Sequence, residues 1–121
     1  MHTHILFAED DPDTRNMIQL LLTGAGFRVS APESAVDALT LATTERFDVV
    51  LLDNWMPGVS GLEICRQIRT FDQTTPILFC SGAVTQADKE AATSAGAQGF
   101  VGKPFDPDDL IDAVRAVLSK T

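Results

Sequence analysis

Short, wholly apolar runs alternate along the chain with segments of helical period. Ile5-Leu6-Phe7-Ala8, Val49-Val50-Leu51-Leu52 and Ile77-Leu78-Phe79-Cys80 are apolar at every position, the pattern of strands covered on both faces of a parallel sheet. Phe27-Arg28-Val29-Ser30 alternates apolar with polar and predicts an edge strand. Gly99-Phe100-Val101-Gly102 is a fifth candidate, recognised mainly by its place in the rhythm.

The intervening segments carry helix signals. Leu110, Ile111, Val114, Val117 and Leu118 line one face of a last helix. Asp106 is its expected cap, Pro107 its first-turn proline, and Asp108 and Asp109 suit the positive end of the helix dipole. A first helix presents Ile18, Leu21, Leu22 and Ala25 and stops at Gly24 and Gly26. A second is predicted over 34–44 and a third over 60–70, the latter opened by a Ser60/Glu63 capping box. A fourth, over 85–95, offers only Ala87, Ala91, Ala92 and Ala95 as inward residues. With so little apolar area to bury it is expected to be the loosest element, or else to lie where only alanine fits against the sheet.

Five strand–helix pairs with no long linker predict one doubly wound α/β domain over 1–121. Ligands of such folds bind beyond the carboxyl ends of the strands. Four of the five predicted strands hand over there to polar or charged groups: Glu9-Asp10-Asp11, Asp53, Ser81 and Lys103-Pro104. Adjacent parallel strands lie about 4.8 Å apart, so Glu9, Asp10 and Asp53 converge if the first and third strands pair. Three carboxylates so close repel one another unless a cation sits among them. Oxygen-only ligands without His or Cys favour Mg²⁺. Any single acid has a plainer role as helix cap or solvated charge, and Asp11 and Asp13 are expected to be that. A carboxylate nucleophile, a metal, a lysine and a hydroxyl around one point suit phosphoryl transfer.

Composition narrows the partners. The chain has 121 residues, 45% of them hydrophobic and 21% charged, a globular balance. Seventeen acids against nine bases give a net charge of −8, which argues against direct binding to nucleic acid or an anionic membrane. No apolar run approaches the length of a bilayer span, and Met1-His2-Thr3 leads into the first strand without a signal-peptide pattern. Cys65 and Cys80 stand in apolar surroundings without metal spacing and predict buried free thiols, hence a cytoplasmic protein. His2 and His4 are expected to belong to a frayed, solvated start.

Ala8-Glu9-Asp10-Asp11, the run from Leu52 to Gly61, Cys80-Ser81-Gly82 and Gly102-Lys103-Pro104-Phe105 together resemble the receiver (response regulator, chemotaxis-regulator-like) domain of two-component signalling. The resemblance spans the chain from Ile5 to about Leu118 and implies a five-stranded parallel sheet of order 2-1-3-4-5 with helices on both faces. Carried over by position, it implies that Asp53 is the phosphoacceptor. Asp10 would bind Mg²⁺ directly, Glu9 mostly through water, and the Trp55 backbone carbonyl would add a ligand. Ser81 and Lys103 would contact the phosphoryl group, the Lys103–Pro104 bond would be cis, and Phe100 would be the switch aromatic that follows Ser81 inward. The implied partners are a sensor histidine kinase or histidine phosphotransfer protein as donor, and a downstream protein or an output domain as target.

Several positions depart from the family. Ser60 replaces a common aspartate and Phe100 a commoner tyrosine. Trp55, two residues after Asp53, is expected to slow hydrolysis of the acyl phosphate by hindering water. Gly82 leaves room for a donor histidine, although a tight turn explains it equally. Gln98 and Gly99 stand where acids are common, and only Lys89 and Arg115 look like matching bases, so a tight dimer through the fourth helix, fifth strand and fifth helix is not expected. Two rivals differ in class. An aspartyl-nucleophile, metal-dependent phosphohydrolase would want an acid at position 55. A phosphorylation-independent pseudo-receiver would usually lack one of the acids or the lysine. Both stand-alone and excised receivers fit a chain of this extent.

Overall fold

The computed structural model describes residues 3–53, 60–82, 85–103 and 106–119, with residues 81, 82 and 103 as backbone. Strands β1 (His4–Ala8), β2 (Arg28–Ser30), β3 (Val49–Asp53), β4 (Ile77–Gly82) and β5 (Gly99–Lys103) alternate with helices α1 (Pro12–Gly24), α2 (Ala35–Thr44), α3 (Gly61–Arg69), α4 (Gln86–Ala95) and α5 (Pro107–Leu118). The sheet is parallel with order β2-β1-β3-β4-β5, as the resemblance implied. β2 is the short edge strand that its alternation predicts.

The apolar runs are continuous because the sheet is covered twice. Successive strand side chains point to opposite faces. Ile5, Phe7, Val49, Leu51, Leu78 and Cys80 meet Ile18 and Leu22 of α1 and Leu110, Val114 and Val117 of α5. Leu6, Ala8, Val50, Leu52, Ile77 and Phe79 meet α2, α3 and α4 through Ala38, Ile64, Ile68 and Ala92 among others. Cys65 and Cys80 are buried free thiols, as predicted.

Helix ends follow the local chemistry. Asp11 caps α1, accepting from the Thr14 N–H at 3.0 Å. Ser34 caps α2 and Ser60 caps α3, the latter accepting from the Glu63 N–H at 3.2 Å. Asp106 occupies the first position before α5 but makes no side-chain cap bond. Pro107 already presets the first helical turn, and the Asp106 carbonyl accepts from Asp109 at 3.0 Å and Leu110 at 3.4 Å.

Three expectations need correction. Only half of the Ser60/Glu63 capping box forms, because the Glu63 carboxylate turns to Gln67 and Arg66 along α3. Ala87 is exposed and Ala91 half-buried, so α4 buries only Ala92 and Ala95. The first turn of α4 follows the carboxyl end of β4, and Gln86 and Ala87 there are both exposed. His4 is not frayed: it begins β1, its N–H donates to Asp48 at 2.8 Å, its Nε2 lies 2.8 Å from Ser30 Oγ, and its ring lies 4.4 Å from that of Phe47. The β1–β2 pairing and the chain entering β3 supply these partners. His2 lies outside the described residues.

Candidate functional site

The register of the central strands builds the site. Ala8 pairs with Leu52, so the next step brings Glu9 alongside Asp53 at the carboxyl edge of the sheet. One carboxylate oxygen from each of Glu9, Asp10 and Asp53 lies within 4.8 Å of the others. Glu9 is 2% and Asp53 7% exposed, while Asp10 keeps access to solvent. Three carboxylates this close gather negative charge at one point, and a cation among them relieves the repulsion. An all-oxygen donor set at this spacing, open on the Asp10 side, fits a hard divalent cation that retains waters, and Mg²⁺ is such an ion.

The adjoining strands bring the other candidates to the same edge. Asp53 pairs with Cys80, and one and two steps further on Ser81 pairs with Gly102 and Gly82 with Lys103. Ser81 and Lys103 therefore lie within β4 and β5 rather than just after them. Trp55 and Pro104 lie outside the described residues. Phe100 is half-buried, packs against the core beneath α2, α3 and α4, and lies 5.9 Å from Phe79 with the rings 21° from parallel.

Two arginines that no sequence motif marks tie backbone together, Arg15 beside the site and Arg69 at the opposite edge of the sheet. Arg15, on the first turns of α1, donates from Nη1 to the Glu9 carbonyl at 3.2 Å. Arg69, at the end of α3, donates to the carbonyls of Gly96 and Asp72 and to Gln98 Oε1. The only hint for Arg15 is a cation among the first residues of an amphipathic helix, where acids are usual. Cys65 is not a rival nucleophile. Burial pushes its thiol above the ordinary value against the pull of Arg69 and Arg66, and the thiol donates to the Ala95 carbonyl at 3.3 Å.

The wider comparisons agree with this geometry. The family model described as response regulator receiver domain matches residues 5–115. The transcriptional regulatory protein CseB of Streptomyces coelicolor is 38% identical over 118 residues, which are 98% of this chain and 50% of that protein. The response regulator ArlR of Staphylococcus aureus is 35% identical over 98% of this chain and 53% of its own length. The chain thus spans about half the length of these two relatives. Among solved structures, the chemotaxis protein CheY4 of Vibrio cholerae superposes with a TM-score of 0.94 at 30% identity, covering 98% of this chain and all of that one. The receiver domain of the sensor histidine kinase PA1611 of Pseudomonas aeruginosa superposes with a TM-score of 0.90 at 26% identity over 98% of this chain and 99% of that one. Its structure holds a magnesium ion in the active site cleft. With the family model matching residues 5–115, nearly the whole of the sheet and its five helices, the chain belongs to the response regulator receiver domains of two-component systems.

Proposed function

We propose that Asp53 is the phosphoacceptor of this receiver domain, taken as the whole of 1–121, and that the phosphoryl donor is a phosphohistidine on a sensor histidine kinase or histidine phosphotransfer protein. The observation that carries this reading is the convergence of Glu9, Asp10 and Asp53 within 4.8 Å, with Asp53 on the central, buried strand β3. An Asp53 carboxylate oxygen attacks phosphorus in line. The O–P bond forms as the P–N bond breaks, and the imidazole leaves, taking a proton from solvent. Glu9, Asp10 and Asp53, with the Trp55 carbonyl, would hold Mg²⁺, which when bound would supply positive charge to offset the phosphoryl oxygens.

Lys103 pairs with those oxygens and Ser81 donates its hydroxyl to them; the pairing of β4 with β5 at the same edge supports both roles. As Ser81 is drawn in, Phe100 turns further toward the core and the surface of α4, β5 and α5 changes shape. The half-buried Phe100 and the thinly packed α4 support such a switch. The chain is a signalling acceptor rather than an enzyme with a turnover substrate. It acts in the cytoplasm on a downstream protein or an output domain, with no direct nucleic-acid or membrane contact. The net charge of −8 supports the absence of direct nucleic-acid contact, and no helix among the described residues is long and apolar enough to cross a membrane.

The test is chemical mapping. After exposure to Mg²⁺ and acetyl phosphate, borohydride reduction converts an aspartyl phosphate to homoserine. The reading predicts homoserine at position 53, seen in the mass of the peptide that contains it. Homoserine at another acid, or none, contradicts it.

A further inference from the structure

A nearly buried cation stands beside the acidic site. The Arg15 side chain is 12% exposed, and its Nη1 donates to the backbone carbonyl of Glu9 at 3.2 Å. The other arm, Nη2, lies 3.9 Å from Glu33 Oε1, a carboxylate that is 85% exposed and so screened by water. The firm partner is therefore the carbonyl. That oxygen belongs to the planar unit joining the Cα atoms of Glu9 and Asp10. Holding it restrains ψ of Glu9 and φ of Asp10 together, and with them the direction in which both side chains leave the backbone.

This peptide also lies where restraint is most needed. β1 ends at Ala8, α1 starts at Pro12, and Glu9 and Asp10 fall between the two, outside either regular ladder. Their carboxylates must nevertheless meet that of Asp53, which β3 fixes. Arg15 itself is anchored in α1, its N–H donating to the Asp11 carbonyl at 2.9 Å. The helix thus reaches back through one guanidinium to the end of the strand that precedes it.

We propose that Arg15 is a positioning residue of the acidic site, holding the Glu9–Asp10 peptide so that the Glu9 and Asp10 carboxylates meet Asp53 at cation-binding distance. The proposal rests on the reading of this cluster as the receiver's Mg²⁺ site. A purely electrostatic role has the opposite sign, since a cation beside a cation site weakens binding and its removal tightens it. Groups that orient ligands, by contrast, typically cost tenfold or more in metal affinity when altered.

The experiment is a Mg²⁺ titration of the wild type, Arg15→Lys and Arg15→Gln, followed by backbone amide resonances. Lys keeps the charge, but its ammonium ends one bond short of the guanidinium Nη1 that holds the Glu9 carbonyl, and Gln loses the charge. Positioning predicts that Arg15→Lys weakens Mg²⁺ binding by about tenfold, that Arg15→Gln also weakens it, and that the Glu9 and Asp10 amides shift in both variants before metal is added. Unchanged affinity in Arg15→Lys, or tighter binding in Arg15→Gln, overturns the proposal while leaving the phosphoacceptor reading intact. A wild type that shows no response to Mg²⁺ overturns both.

Discussion

Gln98 Oε1 accepts two hydrogen bonds at once, from the Ile77 N–H at 2.8 Å and from Arg69 Nη2 at 2.9 Å. The same guanidinium donates to the Gly96 carbonyl from Nε at 3.1 Å and Nη2 at 2.9 Å, and to the Asp72 carbonyl at 3.0 Å. The end of α3, the turn after α4 and the start of β4 are therefore tied at one point. Gly96 is needed there twice over. Its φ is 112°, and a Cβ would stand 2.7 Å from Arg69 Cγ.

Gln98 is thus a structural acceptor at a position where an acid was the family expectation. Gln98→Ala is expected to cost about 1 kcal/mol, since it leaves the Ile77 N–H and one arm of Arg69 without this partner. Gln98→Glu keeps an acceptor and adds charge opposite Arg69, so it should fall within about 0.5 kcal/mol of wild type. Urea denaturation of the two variants checks this. Equal losses in both would show that the acceptor is not what matters.

The first turns of α4 depend on their cap. Gln86, Ala87, Lys89 and Glu90 are exposed, and the helix start is held by a reciprocal capping box. Thr85 accepts from the Asp88 N–H at 3.1 Å, and Asp88 accepts from the Thr85 N–H at 3.0 Å. Thr85→Ala removes about 1 kcal/mol of local stability. Hydrogen exchange should therefore quicken about fivefold in the first half of α4, while the amides of β1 and β3 stay protected. Uniform acceleration across the sheet would contradict a local role.

Asp72 organises the turn between α3 and β4. Partial burial raises its pKa, but hydrogen bonds from the side chain and N–H of Thr75 and from Thr74 outweigh that and hold it below the ordinary value of 3.8. A carboxyl depressed on folding contributes stability above its unfolded value, and loses it as pH falls through the folded one. The stability gap between wild type and Asp72→Ala should accordingly be about 1–2 kcal/mol at pH 7 and narrow as pH drops below 3.8. Denaturation at several pH values measures the gap, and a gap that widens in acid would refute the assignment.

The fold was legible because burial on both faces makes the central strands apolar throughout, and because polar or charged groups recur at the same end of four of the five runs. Glu9, Asp10 and Asp53 could be brought together from the expected pairing of β1 with β3 alone. Arg15 and Arg69 could not, because they bind backbone carbonyls, and a carbonyl has no signature in side-chain pattern. The partial burial of His4 and the exposure of Ala87 escape the sequence pattern for a related reason. Whether a terminal residue or a first helical turn is covered depends on the neighbour across the sheet, which local periodicity does not register.

The most direct test of the central claim is the intact mass of wild type and Asp53→Asn after incubation with Mg²⁺ and acetyl phosphate, with and without a chelator. The account predicts one labile phosphoryl group on the wild type, lost on chelation and absent from Asp53→Asn. A phosphoryl group that persists in Asp53→Asn, or a wild type that takes none from either acetyl phosphate or a phosphorylated histidine kinase, would contradict it.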